Sequence, residues 1–493
     1  MKKLKYILLL IVMPILISAC SSSFLDTDLN ENASDDQVQD AINRDPSKIK
    51  GYISGFYKNL FAPESQRSHD DFGLKGIELA TDMMGEDIAY LTSHFFVYDY
   101  LLDNRGSSYR RPASTWQEFY AVINGTNEVI SKLIEQIDSG DETVEKMLGE
   151  SFVIRAYSYF WLINMYQHPY QWNKDKPGIP VYNETDILLN RVPVKEVYNQ
   201  ILSDLDKGYN LLKGKKAASK GEISEYAAAA IYAKVLQFVD DYPNQWETVA
   251  KYAQEAIKGG SLMTEAELLS GFNTVDLSEV LWGALIDGES NTFYASFMSH
   301  MDPYSPGYGG NLGNYKMIAS DLYDKIPETD IRKKWFGIKI ESEDNPHYHV
   351  QQYIQKKFVD VGSLGKGGTF TSDYIYLRTA EMYFVAAEAF ANLGKNAEAQ
   401  KLLEEVVKSR NPDYSASGKD LLEEIRIQKR IEMWGEGVRL FDMKRRGEPL
   451  NRKGSVNHSS TTVHELPAND KKFIYKIPDD EMNANKEIGE QND

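Results

Sequence analysis

Cys20 is the only cysteine among 493 residues, so no disulfide can hold this chain together. Whatever folds must be stabilised by a hydrophobic core, and a chain of this length can bury a large one. Cys20 also closes the one strongly apolar run of the sequence. Lys2, Lys3 and Lys5 precede an apolar stretch from Tyr6 to Ile17, and Ser18 and Ala19 follow as small residues. That is the pattern of a bacterial secretion signal, residues 1–19, cleaved before an acylated Cys20. The stretch is short for a hydrocarbon layer of roughly 30 Å, which argues against a retained span. Two or more acyl chains, at about 0.8 kcal/mol per buried methylene, would hold the mature chain on a membrane surface outside the cytoplasm. Residues 20–36 are polar and read as a tether. Asp26, Asp28 and Asn30 open like a calcium loop, but the later glycine and acid are missing, so no metal is expected there.

Charge narrows the partners. The net charge is −18, and removing the three leader lysines takes it to −21. Nucleic acid and anionic lipid are therefore unsuitable partners. Aromatics are abundant, with 31 Tyr, 20 Phe and 7 Trp. Tyrosine in that number suits surfaces that are apolar at one end and wet at the other, as for a neutral, hydroxyl-rich ligand.

Beyond the tether, residues 37–493 read as one mainly α domain. Ile49, Ile53, Phe56 and Tyr57 recur at helical spacing, and Phe152 to Ile163 is apolar nearly all round, as in a central helix. Several helices come in pairs: 225–240 with 246–258, and 373–393 with 396–409, the second of each pair beginning just after a turn. Residues 198–212 and 421–445 are further candidate helices. Small residues at crossings and glycine in the turns give a tetratricopeptide style of packing. Three long segments, near 62–112, 167–194 and 262–372, read as irregular, with strand-like runs at 279–286 and 351–359. Long loops on a rigid scaffold are where recognition sits.

Six blocks, in order and spanning nearly the whole mature chain, carry a family resemblance. They are FLD at 24–26, IRAYSYFWLINMY at 154–166, RVPVKEVYNQILSDL at 191–205, DYIYLRTAEMYFVAAEAFANLG at 373–394, RIEMWGEGVRLFDMKRRG at 430–447 and IPDDEMNANKEIGEQN at 477–492. With them the chain resembles the SusD/RagB family, the outer-membrane surface nutrient-binding lipoproteins of Bacteroidetes. The resemblance implies about four tetratricopeptide-like helix pairs, a ligand site on the loop-rich side, and a TonB-dependent β-barrel transporter, SusC-like, as partner. It also implies a glycan-binding protein rather than an enzyme. Capture of peptides within the same family and a scaffold role without nutrient are the alternatives. The chain departs from the family pattern at His168 and Pro169, where a glycine-containing turn is expected after Tyr166.

Weighed residue by residue, no motif marks a catalytic centre, and no cofactor is expected. Arg430, Glu432, Glu436, Arg439, Asp442, Arg445 and Arg446 recur at spacings of three and four, and read as ion pairs fixing the last helices, Arg439 with Asp442 and Asp442 with Arg445 or Arg446. Arg155 and Arg378 read as packing residues. His347 and His349 would share a strand face, yet two ligands are too few for a metal. The glycine-rich 362–368 lacks the lysine of a phosphate loop. Trp282 reads as core. The ligand candidates are aromatics of the first and third loop segments with polar neighbours: Phe96, Tyr98, Asp99, Tyr100 and Tyr109, then Asp302, Tyr304, Tyr308 and Asn311. A sugar ring lays its C–H face on an aromatic ring while its hydroxyls hydrogen-bond to Asn and Asp.

Overall fold

The computed structural model describes residues 35–63, 67–183, 187–362 and 368–492. Cys20, the leader, nearly all of the tether and residues 363–367 of the glycine-rich loop lie outside the described residues. The chain divides after Lys48. In the first unit Asp35–Arg44 forms helix α1. The second unit, Ile49–Asp493, is mainly helical and carries everything discussed below.

Its scaffold is a series of packed helices: α2 (Lys50–Asn59), α3 (Leu74–Met84), α4 (Arg110–Leu133), α5 (Glu142–Tyr166), α6 (Val194–Leu212), α7 (Glu225–Leu236), α8 (Gln245–Ile257), α9 (Thr379–Asn392), α10 (Asn396–Lys408), α11 (Leu421–Glu432) and α12 (Arg439–Arg446). Consecutive partners α4 with α5, α5 with α6, α7 with α8 and α9 with α10 pack side by side, and α8 with α9 joins the pairs. Starts are chemically marked. The Asp141 carboxylate accepts from the Thr143 N–H at 2.8 Å to cap α5, and Asp420 does the same for α11 through Glu423 at 3.1 Å. The α5–α6 crossing is close because Gly149 and Gly208 face it. A Cβ on Gly149 would stand 2.7 Å from the Leu212 side chain, and one on Gly208 2.6 Å from Val153. Arg155, fully buried, then pairs in two-pronged fashion with Asp204 of α6 at 2.8 and 2.7 Å and reaches Asn127 of α4 at 2.7 Å. Among the described residues no helix is long and apolar enough to cross a membrane.

Two readings of local structure are corrected. Residues 374–378 are not the start of a helix. They form strand β2 (Tyr374–Arg378), which pairs antiparallel with β1 (Val280–Ala284), so the helix begins at Thr379. The run YIYLR has the aromatic and branched character of a strand, and pairing with β1 decides what periodicity alone could not. Residues 351–359, expected as strand, contribute a 3₁₀ turn (Tyr348–Tyr353) and isolated bridges at Ile354 and Gln355. His347 and His349 therefore share no strand face; His347 is buried edge-on to Tyr315 at 5.1 Å. The first irregular segment also contains α3, whose residues are all buried, its polar stripe of Lys75, Glu78 and Asp82 included. Likewise 421–445 is two helices, broken where Gly435 and Gly437 adopt φ of 77° and 76°. Trp282 is core as expected, against Tyr157 at 5.9 Å and Tyr376 at 4.8 Å. After Tyr166, Gln167 is extended and Pro169 opens a short helix (Tyr170–Asn173).

The charged cluster of the last helices proves to be the polar centre of the molecule. Arg378, at the junction of β2 and α9, lies wholly buried among Glu279 at 2.5 Å, Glu432 at 3.2 Å and Glu436 at 2.6 Å. Arg410 joins Glu279 at 2.5 Å and Glu432 at 3.0 Å; Arg332 reaches Glu432 at 3.4 Å and Lys357 reaches Glu436 at 2.6 Å. Asp442 pairs with Arg445 at 2.8 Å as expected, and Arg445 goes on to Glu388 at 2.6 Å. The expected Arg439–Asp442 pair is corrected. Arg439 faces the end of α3 and pairs with Glu86 at 2.6 Å and Glu448 at 2.7 Å, while Asp442 takes Lys429 at 3.0 Å. Arg430 grips Asp87 at 2.5 Å.

Burial by itself would raise the Glu436 carboxyl, but Arg378 and Lys357 hold it down to about 2; Arg445 and Arg446 do the same for Glu388 against its burial, also to about 2. Carboxyls depressed in the folded state stabilise it above their ordinary value of 4.5 and lose that contribution as pH falls toward 2. The urea midpoint should therefore drop steeply between those pH values, and a flat profile there would contradict the assignment. Arg378→Met leaves buried glutamates uncompensated and should cost about 3–5 kcal/mol in urea unfolding at neutral pH.

Candidate functional site

The ion pairs to Glu86 and Asp87 fix the end of α3, and the chain leaving it carries the site. Ile88 and Ala89 pair antiparallel with Ile318 and Met317, and the Ala319 N–H donates to the Asp87 carbonyl at 2.9 Å. This short ladder clasps the first loop segment to the third. On the first side, residues 93–111 wall a cleft of about 540 Å³, lined by His94, Phe95, Tyr98, Asp99, Asn104, Tyr109 and Arg110 among others. On the third side, the loop 303–315 is folded on its own backbone. The Asp302 carboxylate takes the Tyr304 and Asp360 N–H groups at 2.8 and 3.1 Å, and the Gly309 N–H donates to the Ser299 carbonyl at 2.7 Å. A Cβ at Gly309 would stand 2.5 Å from the Asp302 carbonyl, so only glycine lets the loop close this tightly.

The two loops meet at Tyr308. Its ring stacks on His300 at 4.7 Å and 12°, stands 4.9 Å from Phe95 and 5.1 Å from His94, and its hydroxyl shares a 2.5 Å hydrogen bond with His69 Nδ1. His300 is buried beneath it, with Nε2 donating to the His69 carbonyl at 2.8 Å. Burial, aided by Lys316, holds the His300 imidazole well below its ordinary value, so it is uncharged at neutral pH. Lys316 is itself buried with no carboxylate partner among the described residues; burial lowers it to about 7, and its Nζ donates to the Asn314 carbonyl and stands 4.9 Å over Tyr90. Tyr294 continues the aromatic surface outward, 6.2 Å from Tyr308 and 5.6 Å from Phe370.

The backbone here is strained. Of eight non-glycine residues at positive φ among the described residues, six belong to the first and third segments: Phe96 (70°), Leu102 (52°), Asn104 (54°), Phe272 (49°), Phe293 (51°) and Phe370 (56°). Such conformations cost about 1–3 kcal/mol each and gather at binding and catalytic sites.

The sequence candidates divide sharply. Tyr98 (55% exposed), Tyr109 (45%) and Tyr304 (43%) present open rings, and Asn311 is exposed. Tyr98 and Tyr109 share the cleft, with Tyr308 at its edge; Tyr304 makes no ring contact with the first segment among the described residues. Of the others, Phe96 and Asp99 line the cleft but are buried and engaged by neighbours, while Tyr100 and Asp302 do not reach it, and for those two the expected role is corrected. Tyr100 is buried, its hydroxyl bonded to His458 at 2.8 Å and its ring under Arg452. Phe96 is wedged between Phe72 and His300, Asp302 is spent on loop N–H groups, and Asp99 pairs with Arg111 at 3.4 Å and Arg105 at 3.6 Å. Sequence reading missed His69, His94 and His300 as the posts around Tyr308. It also missed the opposed doublets Asp70-Asp71 and Arg110-Arg111, which flank the first segment and interlock at 2.5–3.3 Å. Like doublets of opposite sign at the two ends of one long loop were the available signal. Among the described residues no group of three or more His, Cys, Asp or Glu is placed to hold a metal ion.

Tyr100→Phe should lower unfolding free energy by about 1 kcal/mol through loss of the His458 bond, and Tyr98→Phe should leave it unchanged in the same urea titration.

A family described as starch-binding associating with outer membrane matches residues 30–236, and the SusD family matches residues 293–493. A SusD-like protein of Formosa agariphila is 21% identical over 473 residues, covering 80% of this chain and 88% of its own. Among solved structures, a SusD-like carbohydrate binding protein of Bacteroides vulgatus superposes with TM-score 0.76 at 23% identity, over 90% of this chain and 97% of that one. The surface glycan-binding protein A of Bacteroides uniformis does so with TM-score 0.70 at 17% identity, over 91% and 99%. With both halves matched in order and the same mainly α architecture throughout, the chain belongs to the SusD/RagB family.

Proposed function

We propose that this protein is a lipid-anchored surface protein that captures an oligosaccharide in the cleft walled by its first loop segment, beside Tyr308 of the third, and delivers it to a TonB-dependent barrel transporter. The observation that carries the reading is the cleft itself: open tyrosine rings at its rim, Asn104 and serine hydroxyls in its wall, and strained backbone holding both in place. An open ring offers a flat apolar face to one side of a sugar, and the polar wall offers donors and acceptors to its hydroxyls. The names of the related proteins support the ligand class, and the name of the amino-terminal family match supports a membrane association. The reading is one of binding without turnover: no pair of carboxylates stands free across the cleft, since Asp70 and Asp99 are each engaged by arginine.

Half the burial of a tyrosine ring is worth about 1 kcal/mol, or about fivefold in affinity. Tyr98→Ala and Tyr109→Ala should each weaken oligosaccharide binding by about that factor in calorimetry, and the ligand should be recovered uncleaved. Unchanged affinity in both variants would remove the cleft from the site. For the anchor, labelled palmitate should be incorporated into the chain, and Cys20→Ser should abolish the label and release the protein from the membrane fraction.

A further inference from the structure

The cleft is rich in ionic groups, yet no charge in it is left over. Its walls carry Asp70, Asp99, Arg110 and Arg111, with Asp71 and Arg105 directly behind. Arg110 binds Asp70 at 2.7 Å and Asp71 at 2.5 Å, Arg111 binds Asp70 at 2.6 Å, Asp71 at 3.3 Å and Asp99 at 3.4 Å, and Arg105 stands 3.6 Å from Asp99. Acids and arginines are equal in number on the wall and again behind it. Burial opposes ionisation of Asp70, but Arg111 and Arg110 hold its carboxyl down to about 2, so the pairing persists across the physiological range. His94, the remaining titratable group of the wall, is lowered by burial and by Lys316, and is uncharged at neutral pH.

Hydrogen-bonding capacity remains where net charge does not. Ser68, Ser93 and Asn104 line the cleft as neutral donors and acceptors, while Arg111 Nε and His94 Nδ1 on the wall and Arg105 Nε behind it are unpartnered but buried beneath its surface. A sugar hydroxyl donates and accepts at once, so it can satisfy such mixed edges without disturbing the ion pairs. A carboxylate or sulfate entering the cleft would be desolvated with no uncompensated cation on the wall to receive it: Lys316, without a carboxylate partner among the described residues, is buried behind Phe96, where burial lowers it to about 7, and the anion would compete with aspartates already held at short range. The chain's net charge of −18 adds long-range repulsion.

We propose, resting on the glycan reading above, that this cleft selects uncharged oligosaccharides and discriminates against uronic-acid and sulfated ones. The test is calorimetry on the full-length lipoprotein in detergent, with cello-, malto-, xylo- and mannohexaose set against oligogalacturonate and oligoguluronate of matched length. At least one neutral probe should bind, with a Kd that moves less than about twofold between about 50 and 500 mM NaCl, since no net charge is neutralised. The anionic probes should bind at least about tenfold more weakly. Asp99→Asn, which leaves Arg105 and Arg111 with one positive charge in excess, should narrow that gap. An anionic probe that binds tighter than every neutral one, with affinity falling as salt rises, overturns this selectivity while leaving glycan capture intact. Failure of every probe of either class overturns both.

Discussion

The structure depends on one buried constellation, the guanidinium of Arg378 enclosed by Glu279, Glu432 and Glu436. Arg378 ends the strand that pairs with β1 and begins helix α9, Glu279 precedes β1, and the two other glutamates come from the end of α11 and the turn beyond it. Three parts of the chain distant in sequence are thereby forced to one point. Ion pairs of this kind contribute little net stability compared with apolar packing, but breaking one exposes the other partner's desolvation cost, so they admit a single arrangement. With no disulfide available, such geometry has to come from packing and charge.

The same network reaches the functional side. Arg430 and Arg439, on helices whose other residues serve Arg378 and Glu388, hold Asp87 and Glu86 at the end of α3. The next two residues form the ladder with Met317 and Ile318 that brings the two recognition loops together. Strain in those loops, carried by Phe96, Leu102, Asn104, Phe293 and Phe370, can persist because the platform beneath them is rigid. A scaffold made unyielding by buried charge supports loops that are individually unfavourable in conformation, and the open tyrosines are the product.

Much of the scaffold could be read in advance, because its signals are local. The alanine-rich helix, although it ends at Leu236 and so short of the expected break at Tyr242, the helix stopping just before Gly394 and the ion-paired last helices all follow from spacing, breakers and charge. What could not be read was decided by distant partners. YIYLR at 374–378 is apolar enough for either helix or strand until β1 is known, and α3 buries even the stripe of Lys75, Glu78 and Asp82 that would ordinarily mark a solvent face. At the site, composition correctly marked both loops as aromatic, yet neighbours two residues apart went opposite ways: Tyr98 is open while Tyr100 is sealed beneath Arg452 and His458. Which ring faces water depends on a left-handed turn at Phe96 and on contacts from the far end of the chain, and neither leaves a periodic trace.

The central claim is that the cleft walled by the first loop segment is where ligand binds. Hydrogen–deuterium exchange on the full chain, with and without a saturating neutral oligosaccharide, tests it most directly. The account predicts slowed exchange centred on residues 93–111, with the helix pairs unchanged. Protection centred instead on the second opening, lined by Tyr57, Phe61, Gly221 and Leu285, would contradict it.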